Sequence, residues 1–291
     1  MLAGVVDGTD VTVASASNPV VNRTRLNNFG QAFRRDLRIG FIAETQEVAG
    51  VTDELANGIA KKLVEIKRDM ESTFMCTNQP SQMDTGVGGN AYRTGSLGNW
   101  LNADNSANIG ACASGSPFKP ASGAIDTTAA ASFVEATAQN VLTAIYSATG
   151  TFRDYDCILG STLKRAFTNL TASGSVVVTT PNTGVAATSV RTFNQDLGAD
   201  TFKASIDVFE GDFGRLILHP TQFIGSTPGT TLTATPTKGY VIPMDMVEVR
   251  YAKLPQVKNL PDSGGGPARL VEAIAGLVVK NPSGFGFFNG A

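Results

Sequence analysis

Histidine occurs once in this chain, at His219, cysteine three times, and charged side chains at only 16% of positions. Each scarcity removes a class of function. One histidine cannot build a zinc site, and Cys76, Cys112 and Cys157 show neither C-x-x-C spacing nor an accompanying H-E-x-x-H. Three scattered cysteines make no secreted disulfide framework, so they read as small buried or half-buried thiols. There is no G-x-S-x-G, so His219 lacks the nucleophile of a serine triad and reads as a strand-end residue ahead of Pro220. Gly86-Val87-Gly88-Gly89 has no strand before it and no helix after it to aim backbone N–H groups at a phosphate, so it reads as a loop. Glu210 and Asp212 fall in a turn, where backbone geometry favours Asp and Gly. No cofactor and no metal are expected.

No apolar run approaches the roughly 18 residues of a membrane span. The opening MLAGVVDGTDVTVAS lacks the basic and apolar regions of a secretory signal, so synthesis in a cytoplasm is the default expectation. A net charge of −2 draws the chain as a whole to no polyanion, although a local basic patch stays open.

What is present is glycine, 31 residues of it, alongside a charge fraction well under the roughly 25% of an ordinary domain. Such a chain is β-rich or hides much of its surface in an assembly. One amphipathic helix stands out, TDELANGIAKKLVEIKRDMESTFM over 52–75. Leu55, Ile59, Leu63, Ile66, Met70 and Phe74 recur at helical spacing, and the opposite face carries Lys61, Lys62, Glu65, Lys67, Arg68, Asp69 and Glu71. Thr52 is the expected cap, with Asp53 and Glu54 in the favourable first turn. At 1.5 Å per residue the rod is roughly 35 Å long and needs an equally long partner surface.

Before it, 1–22 reads as short extended pieces around Val11, Val13, Val20 and Val21, and 37–49 as extended chain. After it, 77–127 is rich in Gly, Ser, Asn and Pro and reads as structureless apart from the anchors Trp100 and Leu101. Ser132-Phe-Val-Glu135 reads as a capping box opening a helix that runs through Val134, Ala138, Val141, Leu142 and Ile145 to Gly150. A buried strand over Tyr155–Leu159, a turn at Gly160-Ser161 and a helix over Thr162–Leu170 form a local α/β unit. From Ser173 the pattern is mostly β. It comprises a strand at Val176–Thr180, a hairpin over 203–218, an exposed loop over 225–238, a half-buried strand around Val247, Val249 and Tyr251, and a strong strand over Arg269–Lys280. Asn281-Pro-Ser-Gly284 then turns into Phe285, Phe287 and Phe288.

Residues 23–38 hold Arg23, Arg25, Arg34, Arg35 and Arg38 against the single acid Asp36. Five guanidinium groups in sixteen residues can pair with carboxylates of a neighbouring chain, bind phosphates, or form a solvated face.

The order of these pieces resembles the major capsid proteins of tailed bacteriophages with the Hong Kong 97-type fold. The pieces are DELANGIAKKLVEIKRDMESTF, a Gly/Asn-rich loop with SLGNWL, VEATAQNVLTAIYSATG, YDCILGSTLKRAFTNL, IDVFEGDFGRLILHPTQF, and the return segment from Gly239 to Gly286. No single motif is specific; six in register are. The resemblance implies an α+β subunit with four regions. Residues 1–45 would belong to an extended loop reaching over a neighbour, and 46–127 to a peripheral domain with its spine helix on a β-sheet. Residues 128–250 would form an axial domain, and 251–291 the return strands of the peripheral domain. The family's N-terminal arm and outgoing hairpin strand have no counterpart before residue 45, so that end is expected to continue upstream or to be built differently.

The resemblance further implies a structural protein and no enzyme. It would self-assemble into hexamers and pentamers of an icosahedral shell around double-stranded DNA, held non-specifically. Portal and possibly scaffold or decoration proteins would be its partners, with assembly in the host cytoplasm, location in the virion and no membrane. The five arginines would make intersubunit or DNA-facing contacts. The closest rival is an encapsulin-like nanocompartment shell around protein cargo, because fold alone does not decide function. A small-molecule enzyme, the third reading, predicts a stable monomer with a convergent polar pocket.

Overall fold

The computed structural model of the protein describes residues 27–45, 53–86, 89–101, 120–172, 206–225, 237–261 and 264–290. In chain order its first elements are β1 (Gln31–Arg38), α1 (Phe41–Thr45), α2 (Glu54–Phe74), α3 (Leu97–Leu101), β2 (Ile125–Asp126), α4 (Glu135–Thr149) and β3 (Asp154–Leu159). Then follow α5 (Ser161–Ala172), β4 (Val208–Gly211), β5 (Gly214–Pro220), β6 (Lys238–Ile242), β7 (Val247–Leu260), β8 (Ala268–Val279) and β9 (Gly286–Asn289). The strands form two sheets, an antiparallel one in the order β1-β8-β7 and a mixed one in the order β2-β9-β6-β3-β5-β4.

The helical spacing of 52–75 produces α2, and the sheet beneath it is β1-β8-β7. Ile66, Met70 and Phe74 of α2 are buried with Phe33 of β1 and Val271, Ala273, Ala275, Leu277 and Val279 of β8. Burying each large side chain is worth about 1.5–3 kcal/mol before entropy. Leu55, Ile59 and Leu63, from the first half of the same stripe, are only half-buried. Asp53 is the cap, its carboxylate accepting from the Ala56 N–H at 3.0 Å, while Thr52 lies outside the described residues.

The six-stranded sheet is apolar on both faces at its centre, because successive side chains of a strand point to opposite sides. Tyr240, Ile242 and Phe287 join the cluster under α2, whereas Val241 and Phe288 join a second cluster with α4 and α5. That second cluster gathers Val141, Leu142 and Ile145 of α4, Leu163 and Phe167 of α5, Tyr155, Cys157 and Leu159 of β3, and Leu216 and Leu218 of β5. Tyr240 is the joint. Its ring stacks on Phe287 with centroids 5.0 Å apart, and its hydroxyl donates to the Met75 carbonyl at 3.1 Å, just past the end of α2.

Several local readings hold. The α/β unit is β3–α5, the hairpin is β4–β5, and α4 ends on Gly150 in the left-handed region at φ 67°. Others are corrected. Residues 41–45 are helical where extended chain was expected, since Gly40 breaks β1 and its carbonyl accepts from the Glu44 N–H. Ser132 does not cap α4. It closes a 3-10 turn on Ala129, and the capping position falls to Val134 with no side-chain bond. Phe133 explains the shift: it is buried against Phe167 and Phe288 at centroid distances of 4.7 and 5.6 Å, and that packing sets the entry angle. The return segment divides between the sheets, β7 and β8 joining one and β9 the other. The expected strands around Val11, Val20 and Val176–Thr180 lie outside the described residues, as do the middle of the 225–238 loop and Cys112.

The segment after α2 is not structureless where it is described. All of α3 is buried, with Trp100 and Leu101 in the main core, as their isolation in a polar stretch suggested. A Cβ on Gly98 would lie 2.5 Å from Thr77 Cα and 2.6 Å from the Thr77 carbonyl oxygen, so only glycine lets α3 seat there. Gly98→Ala is therefore expected to destabilise the subunit by about 1–3 kcal/mol. The measurement is the urea midpoint, which should fall with an unchanged slope.

Candidate functional site

Among the described residues no three or more His, Cys, Asp or Glu side chains gather into a metal site, and no helix is long and apolar enough to cross a membrane. His219, half-exposed at the end of β5, bonds Asp156 Oδ1 of the parallel neighbour β3 at 2.8 Å. Cys76 and Cys157 are both buried, and burial pushes their thiols up, away from reactive thiolate. Beside a cleft lined by Gly160, Ser161 and Pro220, burial raises the Glu71 carboxyl and a Thr221 hydrogen bond opposes the shift.

The chemistry that does concentrate lies on the β1-β8-β7 sheet, on the face turned away from α2. In β8 the odd residues from Val271 to Val279 go under the helix, so Leu270, Glu272, Ile274 and Val278 take the other face. Register then puts Arg34 opposite Glu272, Asp36 opposite Leu270 and Arg38 opposite Ala268. From β7, Glu248 and Arg250 join them opposite Val278 and Gly276. Two register shifts follow, one between Tyr251 and Lys253 and one between Lys253 and Gln256. The first turns Lys253 onto this face and the second restores the alternation, so Lys258 faces the same way. Pro255 sits in the second irregularity, on an edge strand, where a missing N–H costs no ladder bond.

The outcome is one buried carboxylate held by three cations. Glu272 bonds Lys253, lies 2.7 Å from Lys258 Nζ and 3.7 Å from Arg34 Nε. Its side chain is 8% exposed, against 67% for Arg34 and 54% for Lys258. The lysine hydrogen bonds, Lys253 first and Lys258 second, hold its carboxyl at about 2, from an ordinary 4.5. One carboxylate cannot saturate an Arg fork and two ammonium groups, so donors remain turned to the surface.

The five arginines read from the sequence are distributed as follows. Arg34 belongs to this cluster. Arg35, on the opposite side of β1, places its fork on Asp69 of α2 at 2.7 and 2.8 Å, a bidentate tie within the chain. Arg38 ends β1 beside Gly265. Arg23 and Arg25 lie outside the described residues. Lys253, Lys258 and Glu272 were not singled out in the sequence. Nothing local marks them, because it takes cross-strand register to bring residues 34, 253, 258 and 272 together.

A second polar constellation, also unmarked, fastens 77–101 to the sheet. Asn28 Nδ2 donates to the Leu277 carbonyl at 2.7 Å, and Asn28 Oδ1 accepts from the Gly95 N–H at 2.7 Å. Gln79 Nε2 donates to Gln31 Oε1 at 2.9 Å and to the Thr94 carbonyl at 2.7 Å. These bonds satisfy buried backbone that a loop would otherwise leave orphaned.

Among the described residues many large apolar side chains stand open, Ile42 and Leu254 the most of all. Phe41 and Ile42 of α1 are 52% and 74% exposed, and Leu254 on the edge strand β7 is 68% exposed. An open groove of about 490 Å³ between α2 and β7 is lined by Met70, Phe74, Met244, Val249 and Tyr251. A long edge strand with exposed apolar side chains is an association surface.

The family model of the SU10 major capsid protein matches residues 6–291. No curated protein matches the chain. Among solved structures it is similar to the capsid of cyanophage Pam1, at 13% identity and a TM-score of 0.49, covering 99% of this chain and 82% of that one. It is also similar to the SrpI encapsulin of Synechococcus elongatus PCC 7942, at 11% identity and a TM-score of 0.49, with 89% and 73% covered. The procapsid of satellite phage P4 is similar at 8% identity and a TM-score of 0.49, with 100% and 80% covered. At these identities and scores the structural likenesses carry no argument, and the family match stands by itself.

Folding lowers the Glu272 pKa, so the stability it contributes is fully present above about pH 4.5 and is lost as pH falls toward 2. In Glu272→Gln, that part of the acid-side fall in Tm is expected to disappear. At pH 7 the variant should melt below wild type, because Lys253 and Lys258 lose their counter-ion. Thermal melts of both proteins from pH 7 to pH 2 make the comparison.

Proposed function

The chain belongs to the SU10 major capsid protein family, and from that premise we propose that it forms the hexamers and pentamers of an icosahedral phage head enclosing double-stranded DNA. As a capsid protein it is structural rather than enzymatic, it associates with itself into shells, and it resides in the virion. The family match over residues 6–291 carries the reading. In this reading α2 is the spine of a peripheral domain, with 46–127 and the strands of 251–291 around it. Residues 128–250 form an axial domain, and 1–45 reach toward a neighbour. Assembly takes place in the host cytoplasm with a portal and, where used, scaffold or decoration proteins. The packaged genome is held without sequence preference.

The surface supports such a role. A subunit that is to be covered by its neighbours carries open apolar side chains at Phe41, Ile42 and Leu254, and cations whose donors are only partly used at Arg34 and Lys258. Among the described residues Arg38 makes no ion pair and Arg34 only the 3.7 Å approach to Glu272, whereas Arg35 is engaged with Asp69.

Electron microscopy of purified particles with a nuclease-protection assay tests the reading. Closed shells holding protected DNA after infection are the expected outcome. Shells that hold only protein would replace it with the nanocompartment reading, and a stable monomer that never assembles would end both. Within the arginine cluster the expected effects differ. Arg34→Ala with Arg38→Ala should lower particle yield with only a small fall in the subunit melt, because the exposed Arg34 stands 3.7 Å from a carboxylate that keeps Lys253 and Lys258. Arg35→Ala should lower subunit stability by about 0.2–1 kcal/mol, the worth of a half-exposed pair. Sedimentation of assembly reactions beside thermal melts separates the two effects.

A further inference from the structure

Among the described residues three buried side-chain polar atoms have no hydrogen-bond partner, and all three belong to α3: Asn99 Nδ2, Asn99 Oδ1 and Trp100 Nε1. Asn99 is 1% exposed and Trp100 4%, so bulk solvent does not serve them. Folded proteins rarely leave a buried amide or indole N–H unpaired, because its lost hydration is then uncompensated. The neighbouring side chains show the ordinary outcome. Asn28 and Gln79 donate from their amides to the Leu277 and Thr94 carbonyls, each at 2.7 Å. The Ser96 hydroxyl oxygen accepts from the Gln79 N–H at 3.1 Å and from the Asn99 N–H at 3.4 Å. These groups are occupied with one another, and Leu97, Trp100 and Leu101 of the same helix enter the main apolar core.

The chemistry of the three atoms defines what completes them. The amide both donates and accepts, whereas the indole N–H only donates. An anion would leave the amide oxygen unserved, and a cation would leave the N–H donors unserved. A neutral molecule that donates and accepts suits all three. Water does so at the smallest volume, and buried waters in folded proteins hold just such groups. Consecutive side chains of a helix stand about 100° apart, so one molecule does not serve both residues. Trp100 lines an open cleft of about 480 Å³ with Asn27, Asn28 and Arg250, which gives solvent a route to this side of α3. We propose that α3 is an internal hydration site, with one ordered water accepting from the Trp100 indole N–H and at least one more bound to the Asn99 amide. The place of the site in the fold matters. α3 packs beside β8 of the three-stranded sheet and β9 of the six-stranded one. Those sheets share no strand, so they meet through a dry contact, where Tyr240 stacks on Phe287, and through a wet one at α3.

The test uses the full chain and does not depend on whether it assembles. Trp100 is the chain's single tryptophan, so its indole N–H gives one resonance free of overlap with another indole. That resonance is expected to show a nuclear Overhauser cross-peak to water. In a density map fine enough to show ordered solvent, peaks are expected about 2.7–3.2 Å from the Asn99 amide atoms and from Trp100 Nε1. Asn99→Leu then separates hydration from a true orphan by the sign of its effect, since leucine has nearly the volume and shape of asparagine. If water holds the amide, the variant strips that water of its partners, and the Tm is expected to fall by a few degrees. If the amide is orphaned, leucine removes an unpaired polar group from the core, and the Tm rises. A variant that melts at or above wild type overturns the proposal. So does an indole without contact to water, or a protein side chain in the density where water is expected. Should the leucine variant fail to fold, the wild-type spectrum and map decide the question by themselves.

Discussion

The apolar stripe of α2 needs a surface as long as itself, and no one element supplies it. Its middle and end are covered by β1 and β8 at Phe33, Val271, Ala273, Ala275 and Leu277, and its last turn reaches Tyr240, Ile242 and Phe287 of the other sheet. The helix therefore couples two sheets that share no strand. Tyr240 makes the coupling directional, because its hydroxyl finds the Met75 carbonyl only where α2 stops. Burial keeps that hydroxyl protonated, as a buried phenol with a carbonyl acceptor should be. The remaining architecture follows from what each sheet must then do with its second face.

The two sheets answer that question differently. The six-stranded sheet covers its second face with α4 and α5, so β6 and β9 alternate side chains between two apolar clusters and have no polar side at their centre. The three-stranded sheet leaves its second face open among the described residues and fills it with charge. A single free-standing domain would be expected to cap that face or to balance its charges. A capsid subunit has its neighbours as part of its environment and need do neither by itself.

The irregularities of β7 show how local disorder in a ladder serves a specific arrangement. An unbroken β7 would alternate from Glu248 through Lys258 without change, and Lys253 would lie under α2 in an apolar layer. The shift between Tyr251 and Lys253 brings the ammonium to Glu272, and the shift at Leu254 and Pro255 returns Lys258 to the same side. Removing one member of such a buried group leaves a charge without its partner, which is why the cluster reads as one unit.

Much of the frame was legible from residue order. Spacings of three and four marked α2, alternation and length marked β8, the Tyr155–Leu159 run before Gly160 marked β3 and α5, and the turn residues between Glu210 and Gly214 marked β4–β5. These are properties of short stretches, set by the periods of helix and strand. The resemblance to capsid proteins was legible for the same reason, since it lies in the order of such stretches. What tertiary structure alone decided was everything that depends on register or on competition between neighbours. Ser132 had the composition of a cap and lost the position to the packing of Phe133. Residues 77–101 looked unstructured because their hydrogen-bond partners, Asn28, Gln31 and Leu277, are far away in sequence. Arg34 and Arg35 are adjacent and chemically identical, yet strand geometry sends one to Glu272 on the open face and the other to Asp69 on the helix, because neighbouring side chains of a strand point to opposite sides.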